Sequence, residues 1–272
     1  NRQEAASRLT ECGTGHDTGA LPSARQARYR CCMAGRTRRS RSLSSRPLPY
    51  RIGWILGRAI LYFIVASVVW VAIYRFVPPP FTQTMVADVM AGHSINKDWM
   101  SLRTMDPDMA RAAIAGEDGK FCMHGGFDRK AIEDAARRNL KGGRIRGGST
   151  ISQQTAKNAF LWQGGGFFRK GLEAWFTLLI ETVWGKKRIM EVYLNIAETG
   201  IGTYGANAAA QRYFGKDASN LSPVEAARIA AVLPLPKKRE AISPSGFTRR
   251  RGNSIAAQIG IVRRDGLDSC LK

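Results

Sequence analysis

The stretch EDGKFCMHGGFD, residues 117–128, is the most informative part of this chain of 272 residues. A second stretch, GGSTISQQ at residues 147–154, follows it closely. Together they place a carboxylate, a histidine and several amide side chains beside glycines, which let the backbone approach a ligand. Both stretches come after a long apolar run. The combination indicates chemistry on a large polar substrate at a membrane surface.

The apolar run covers residues 52–77 and is predicted to form one transmembrane helix. No charged residue occurs from Ala59 to Tyr74, and about 20 residues suffice to cross the hydrocarbon core of a bilayer. Arg58 and Arg75 flank this stretch and can extend their charged ends to the two interfaces. A buried core helix and a cleaved signal peptide are alternatives that the length and the flanks disfavour.

Charge is distributed unevenly along the chain. The net charge is +21, and residues 1–51 alone contain 11 Arg and no Lys. Arginine is dense before the apolar run and scarce just after it, which predicts a cytoplasmic N-terminus and a periplasmic domain beyond the membrane. The charge by itself also suggests a membrane-anchored nucleic-acid binder. We expect no nucleic-acid partner, because the residues that could carry chemistry follow the membrane span.

Four segments are expected from these patterns. Residues 1–51 have the composition of a basic, disordered cytoplasmic tail. Residues 52–77 form the transmembrane helix. Residues 78–100 form a juxtamembrane linker that begins with three prolines, and residues 101–272 form the domain that carries the chemistry.

Beyond the linker the pattern is mainly helical. Asp106 precedes a proline, which is typical of a helix start and predicts a helix over residues 107–117. Asp128 is expected to cap a helix that stops at residues 142–143, and Ser149 is expected to cap the next one.

Two later helices are also predicted. Residues 170–184 carry apolar side chains at helical spacing. Ser222 and Glu225 match a capping box at the start of another helix.

The cysteines do not indicate a metal site. Five are present, and only Cys122 and Cys270 follow the apolar run. A disulfide between them is one option, but their spacing does not support it and we expect free thiols. His124 has no second histidine or cysteine at metal-ligand spacing, so no metal site is predicted.

Ser94 and Lys97 fit the S-x-x-K pattern of penicillin-binding enzymes. The pattern is short, and no K-T-G or S-D-N follows it. We interpret the match as chance and predict no covalent labelling by penicillin.

Two glutamates are candidates for chemistry, although neither is decisive alone. Glu117 lies at a predicted helix end, where glutamates are usually solvated. Glu173 follows Lys170 by three residues, so the two share a helix face as in an ordinary surface ion pair.

The order of five motifs is far more specific than any single residue. In this order the chain resembles the peptidoglycan glycosyltransferases, glycosyltransferase family 51, and in particular their monofunctional biosynthetic branch. The match runs from about residue 100 to 250. It implies a mainly α-helical, lysozyme-like fold with two lobes. The motifs are EDGKFCMHGGFD at 117–128, RGGSTISQQTAKN at 146–158, RKGLE at 169–173, KKRIMEVYLN at 186–195 and the stretch from GTYG at 202–205 to residue 234.

The resemblance implies polymerisation of lipid II into β-1,4-linked glycan, with inversion and release of undecaprenyl pyrophosphate. Glu117 matches the family's general base and Glu173 its second carboxylate. The resemblance assigns other residues either to binding of substrate or pyrophosphate or to support of the site. Those for binding are Ser149, Gln153, Gln154, Lys157, Arg169 and Lys170, and those for support are Asp118, His124 and Asn195.

The resemblance also sets expectations for cofactors, partners and location. The sequence requires no cofactor, and a divalent cation, Mg²⁺ or Mn²⁺, at the pyrophosphate stays open. The expected partners are lipid II, the lipid-linked glycan chain, the bilayer and cell-wall synthesis proteins. The expected location is the bacterial inner membrane, with a single membrane span.

Two points stay open at this level. Many relatives place an arginine where this chain has Gly165, and Arg144 or Arg146 could replace that phosphate contact. If neither does, Gly165→Arg should lower the apparent KM for lipid II. The alternative function is that of a lysozyme-like lytic transglycosylase acting on finished glycan, which would need a general acid rather than a cluster of cations.

Overall fold

The computed structural model describes residues 47–140 and 148–272. These residues belong to two compact units, one that ends at Gly57 and one that runs from Arg58 to Lys272. Most of the predicted basic tail and the predicted helix stop at residues 142–143 lie outside the described residues.

Helix α1, Leu48–Phe76, is 29 residues long and apolar enough to cross a membrane. It begins four residues before the predicted start. In the second unit its later turns pack against the rest of the chain. Trp175 Nε1 donates to Ser67 Oγ at 3.0 Å, and Trp184 Nε1 donates to the Val71 carbonyl at 2.7 Å. Ser67 and Val71 are consequently buried.

The expectation of a mainly α fold is confirmed. The described residues contain ten α-helices and one small sheet. After α1 the helices are α2 Gln83–Met90, α3 Pro107–Glu117, α4 Arg129–Leu140, α5 Ile151–Phe160, α6 Gly166–Val183, α7 Lys186–Ile196, α8 Ala206–Phe214, α9 Pro223–Val232 and α10 Gly246–Arg264.

The helix starts follow the sequence signals in most places. Asp106 caps α3, with the proline at its first position, and Ser222 forms a capping box with Glu225 at the start of α9. The expected cap at Ser149 was wrong by one residue. Thr150 caps α5 instead, because its hydroxyl accepts from the Gln153 amide while the Gln153 side chain accepts from the Thr150 amide.

The helices pack as two groups. Helices α3, α9 and α10 contact one another, and helices α5, α6 and α7 form a second set around α5. The second set is centred on aromatic rings: Phe160 and Phe176 stack with their centroids 4.7 Å apart. Glu117 ends a helix of the first group and Glu173 lies on a helix of the second. The two carboxylates thus come from different groups of helices.

A three-stranded sheet lies beside these helices, in the order β1, β3, β2. Strand β1, Asn96–Lys97, is parallel to β3, Thr203–Tyr204, and β2, Glu198–Gly200, is antiparallel to β3. The sheet holds Glu198 opposite Tyr204.

The expectation of free thiols was wrong. Cys122 and Cys270 form a disulfide, with Cα atoms 5.4 Å apart. Cys122 lies on a short 3₁₀ helix, Phe121–Met123, just after Glu117, and Cys270 lies on another, Ser269–Leu271. A separation of 148 residues carries no sequence signal for pairing, whereas the fold brings the two ends together.

Candidate active site

Glu117 lies at the C-terminal end of α3 with a nearly buried carboxylate. Its Oε2 accepts from Gln154 Nε2 at 3.0 Å, and its Oε1 accepts from an Arg251 guanidinium nitrogen at 2.9 Å. Burial raises the pKa of Glu117, while the bonds from Gln154 and Arg251 act in the opposite direction. A carboxyl with a raised pKa is a better proton acceptor than a solvated one.

Asp118, next to Glu117, fixes the loop that follows. Its carboxylate accepts from His124 Nε2 at 2.9 Å and from the Ile151 amide at 3.0 Å. The Gly126 amide donates to His124 Nδ1 at 3.2 Å. With Nδ1 accepting, the ring proton lies on Nε2 and points at Asp118. Asp118 and His124 therefore tie α3 to the start of α5.

Glu173 is buried on α6 and holds two cations. Arg169 donates to Glu173 Oε2 at 2.7 Å, and Lys170 Nζ donates to Glu173 Oε1. Lys170 also reaches Ser149 Oγ at 3.3 Å. The pair on α6 is therefore no ordinary surface contact, because its carboxylate is buried.

Lys157 on α5 completes this group of charges. Burial lowers its pKa, and the carboxylate of Glu173 favours its charged form. No ion pair of Lys157 occurs among the described residues, so its amine is available to an anion that enters the cleft.

Glu117, Lys157 and Glu173 meet in one pocket of about 250 Å³, whereas Arg169 and Lys170 do not line it. Its wall combines the two glutamates with polar, cationic and apolar groups, all drawn from four separate stretches of chain. The lining residues are Glu117, Ser149, Gln154, Lys157, Glu173, Leu233 and Pro234.

Not every predicted site residue lies in this pocket. The side chain of Gln153 is buried in the capping box of α5. Asn195 is fully buried, and its amide donates to the Met100 and Glu191 carbonyls at 2.9 and 2.7 Å. In this structure both contacts stabilise the fold, and neither side chain lines the pocket.

A second pocket of about 140 Å³ adjoins the first and shares Gln154, Lys157, Leu233 and Pro234 with it. Glu198 lies in its wall. One buried oxygen of Glu198 has no hydrogen-bond partner, and the nearest cation is Lys237 Nζ at 3.6 Å. The cleft thus continues beyond Lys157 toward the sheet.

Arg251 and Glu198 were missed by the sequence reasoning. Arg251 is one of three consecutive arginines on α10, and nothing in that run singles out the one that meets a carboxylate 134 residues away. Glu198 stands beyond the end of a recognised motif, in a strand of three residues. Only the fold brings either of them to the cleft.

Gly165 adopts a left-handed conformation with φ of 80° at the start of α6. A Cβ added there would lie 2.8 Å from Trp162 Nε1 and 2.9 Å from Arg169 Cβ. Gly165→Arg would therefore strain the backbone and displace a cleft residue, so it is a poor test of the missing charge. Arg144 and Arg146 lie outside the described residues.

The remaining sequence candidates do not form a site. Lys97 donates to the carbonyls of Pro79 and Pro80, so its amine already holds the start of the linker. Within residues 47–140 and 148–272, no group of three His, Cys, Asp or Glu side chains converges as metal ligands do.

Comparison with known proteins gives the family. The family model described as transglycosylase matches residues 83–259, well over half of the chain. The chain belongs to this family of glycosyltransferases.

Several relatives are named biosynthetic peptidoglycan transglycosylase. One from Caulobacter vibrioides is 52% identical over 217 residues, covering 80% of this chain and 95% of the relative. One from Xanthomonas campestris pv. campestris is 49% identical, covering 75% and 86%. One from Pseudomonas aeruginosa is 50% identical, covering 75% and 90%.

Proposed function

We propose that this protein is a peptidoglycan glycosyltransferase that polymerises lipid II into β-1,4-linked glycan at a membrane. One observation carries the proposal. Glu117, with a pKa raised by burial, shares a cleft with a carboxylate that holds two cations and with Lys157. The family and its relatives support the same reaction.

Glu117 is the proposed general base. An alcohol is a weak nucleophile at neutral pH, so a positioned base has to take its proton as the bond forms. Glu117 removes the proton of the 4-hydroxyl of the acceptor's GlcNAc, and that oxygen attacks C1 of the donor's MurNAc. The bond from C1 to the pyrophosphate breaks on the opposite face, which inverts the configuration. Gln154 and Arg251 hold the carboxylate in place.

The cations stabilise the leaving group. Undecaprenyl pyrophosphate departs as an anion and needs positive charge rather than a proton. Lys157, Arg169 and Lys170 are the proposed pyrophosphate ligands, with Ser149 beside them. Glu173 keeps Arg169 and Lys170 together. Glu173→Gln should therefore be severe without removing a proton acceptor.

The three cations Lys157, Arg169 and Lys170 argue against hydrolysis of finished glycan. A raised pKa at Glu117 suits a general acid as well as a base. A glycosidase, however, expels an alkoxide and gains little from three cations beside the departing oxygen. The leaving group that matches the site is a pyrophosphate.

The decisive experiment supplies lipid II to the full-length protein in detergent and separates the products by size. We expect long glycan from the wild type, and a loss of about 10²–10⁴-fold in rate from Glu117→Gln, which keeps the size of the side chain but removes the base. Glu133→Gln, an exposed carboxylate on α4, is the matched control. Release of soluble muropeptides from purified sacculi, without polymer from lipid II, would establish the lytic alternative instead.

The setting of the reaction is also a proposal. The arginine bias before α1 supports a cytoplasmic N-terminus, a periplasmic cleft and location in the bacterial inner membrane. Cell-wall synthesis proteins are the proposed partners. A divalent cation, Mg²⁺ or Mn²⁺, would bind through the pyrophosphate oxygens, because Glu173 is already occupied by Arg169 and Lys170. Rates measured with and without a chelator test this point.

A further inference from the structure

A pocket of about 290 Å³ lies away from the cleft, between the start of α7 and the loop before α3. Its apolar side consists of Leu102, Leu271 and the Trp184 ring, and its polar side carries the cationic side chains Arg103, Lys187 and Arg188 together with Glu191. The reaction proposed above uses none of these residues.

Two hydrogen-bonding residues fix the height of this pocket along α1. Arg188 donates to the Tyr74 carbonyl at 2.9 Å and to the Val77 carbonyl at 3.1 Å, at the end of the apolar helix. Trp184 donates to the Val71 carbonyl. Carbonyls six residues apart in a helix differ in height by about 9 Å, so the pocket lies beside the last turns of α1.

That height corresponds to the polar layer of a bilayer. The uncharged part of α1 runs from Ala59 to Tyr74, which is about 24 Å of helix. The hydrocarbon core is about 30 Å thick, with the lipid headgroups just outside it. A span of about 20 residues is needed to cross that core, so one centred on the uncharged stretch runs from about residue 57 to about residue 76. Val77, and the Arg188 side chain that binds its carbonyl, therefore lie where the headgroups begin.

Among the described residues, the positive charge of the pocket is not balanced by carboxylates. Glu191 is already used, since it accepts from Arg188 at 2.8 Å and from the Leu102 amide at 3.2 Å. In the part of the chain that the structure describes, neither Arg103 nor Lys187 has an ion-pair partner. Both surplus cations border the pocket.

The start of α7 adds to this imbalance. Its first three residues are all basic, with no acidic residue in the first turn and no side-chain cap. Cations at the positive end of a helix dipole are unfavourable. Lys186 is offset by Glu181 at 2.7 Å, whereas Lys187 has no such partner among the described residues. An external anion would relieve the repulsion.

We propose that this pocket binds the phosphodiester headgroup of an anionic membrane phospholipid. The phosphate lies between Arg103 and Lys187, the glycerol backbone lies against Leu102, Leu271 and Trp184, and the acyl chains run down beside α1. A zwitterionic lipid carries its own cation and would be disfavoured by the surplus positive charge. The proposal requires that α1 spans the membrane, and it does not depend on the chemistry assigned to the cleft.

The test uses the full-length protein in nanodiscs of equal parts phosphatidylglycerol and phosphatidylcholine. Native mass spectrometry after release from the disc reports which lipids remain bound. We expect retention of phosphatidylglycerol over phosphatidylcholine. Each basic side chain at an anionic surface contributes about fivefold to affinity, so Arg103→Gln with Lys187→Gln should reduce the preference by about thirtyfold. The charge-conserving pair Arg103→Lys and Lys187→Arg should keep most of it.

Control variants distinguish lipid binding at this pocket from binding in the cleft and from a non-specific effect of positive charge. Lys130→Gln with Lys238→Gln removes two exposed cations elsewhere and should leave the lipid preference unchanged. All of these variants should polymerise lipid II in detergent at the wild-type rate. Equal loss of preference in both double variants would overturn the proposal, as would displacement of the lipid by inorganic phosphate alone. In discs to which undecaprenyl pyrophosphate is added, retention of that lipid but not of phosphatidylglycerol would overturn it as well.

Discussion

Arg251 offers the sharpest test of how the cleft controls Glu117. Its guanidinium donates to Glu117 Oε1 at 2.9 Å and to the Gly116 carbonyl at 2.7 Å. Burial raises the pKa of Glu117, and the positive charge of Arg251 counteracts that effect. Arg251→Met removes the charge and the donor but keeps an apolar side chain of similar length. The pKa of Glu117 should therefore rise further.

The size of the effect follows from the geometry. Two unit charges about 4 Å apart interact by about 4 kcal/mol at an effective dielectric constant of about 20. The side chain of Arg251 is 27% exposed and that of Glu117 10% exposed, so water screens part of this energy. An opposite charge at such a distance typically changes a carboxyl pKa by about 1–3 units. We expect the acid limb of the rate profile to move upward by about one pH unit or more.

The assay measures kcat/KM for lipid II polymerisation between pH 5 and 9. A general base works when deprotonated, so activity is present above its pKa and is lost as the pH falls through it. Arg251→Met should thus be most impaired at low pH and recover as the pH rises. Arg250→Met, at the exposed neighbouring position, should leave the profile unchanged. A uniform loss at every pH, with the acid limb in place, would show that Arg251 does not act through the charge of Glu117.

Three further predictions follow from topology, motif and disulfide. A periplasmic reporter fused after Lys272 should be active and one fused before Arg51 inactive, and the reverse pattern would refute the proposed orientation. Fluorescent penicillin should not label the protein covalently, and a label at Ser94 would show that its motif is functional. Cys122→Ser with Cys270→Ser should destabilise the domain by about 2–5 kcal/mol, measured by thermal unfolding without reductant, and an unchanged melting temperature would mean that the bond does not form.

The helices were predictable because their signals are local. An aspartate before a proline at α3 and a serine with a glutamate three residues on at α9 satisfy the free backbone amides of a helix start. At α5 the same chemistry was available to Ser149 and to Thr150. The choice between them depends on Gln153, whose side chain reaches back to the Thr150 amide.

The site was only half predictable. Glu117, Lys157 and Glu173 lie in motifs that follow one another in a characteristic order along the chain. The sequence therefore indicates these residues before any contact is known. Arg251 and the partner of Cys122 lie more than 130 residues away in sequence. Their roles depend on which helix faces which, and a single sequence contains no local pattern for that.

If α1 spans a membrane, its contacts with the catalytic helices set the depth of the cleft relative to the bilayer. Ser67, bound by Trp175, lies nine residues before the end of α1 at Phe76, or about 14 Å along the helix. A domain bound to α1 in this way is held at one position along the helix and is not attached through a flexible linker alone. With α1 in a bilayer, the cleft would meet lipid-linked sugars at a constant distance from the membrane midplane, and the search for substrate would reduce to two dimensions. Lengthening the proline segment after α1 would leave that depth unchanged, because Trp175 and Trp184 bind α1 directly.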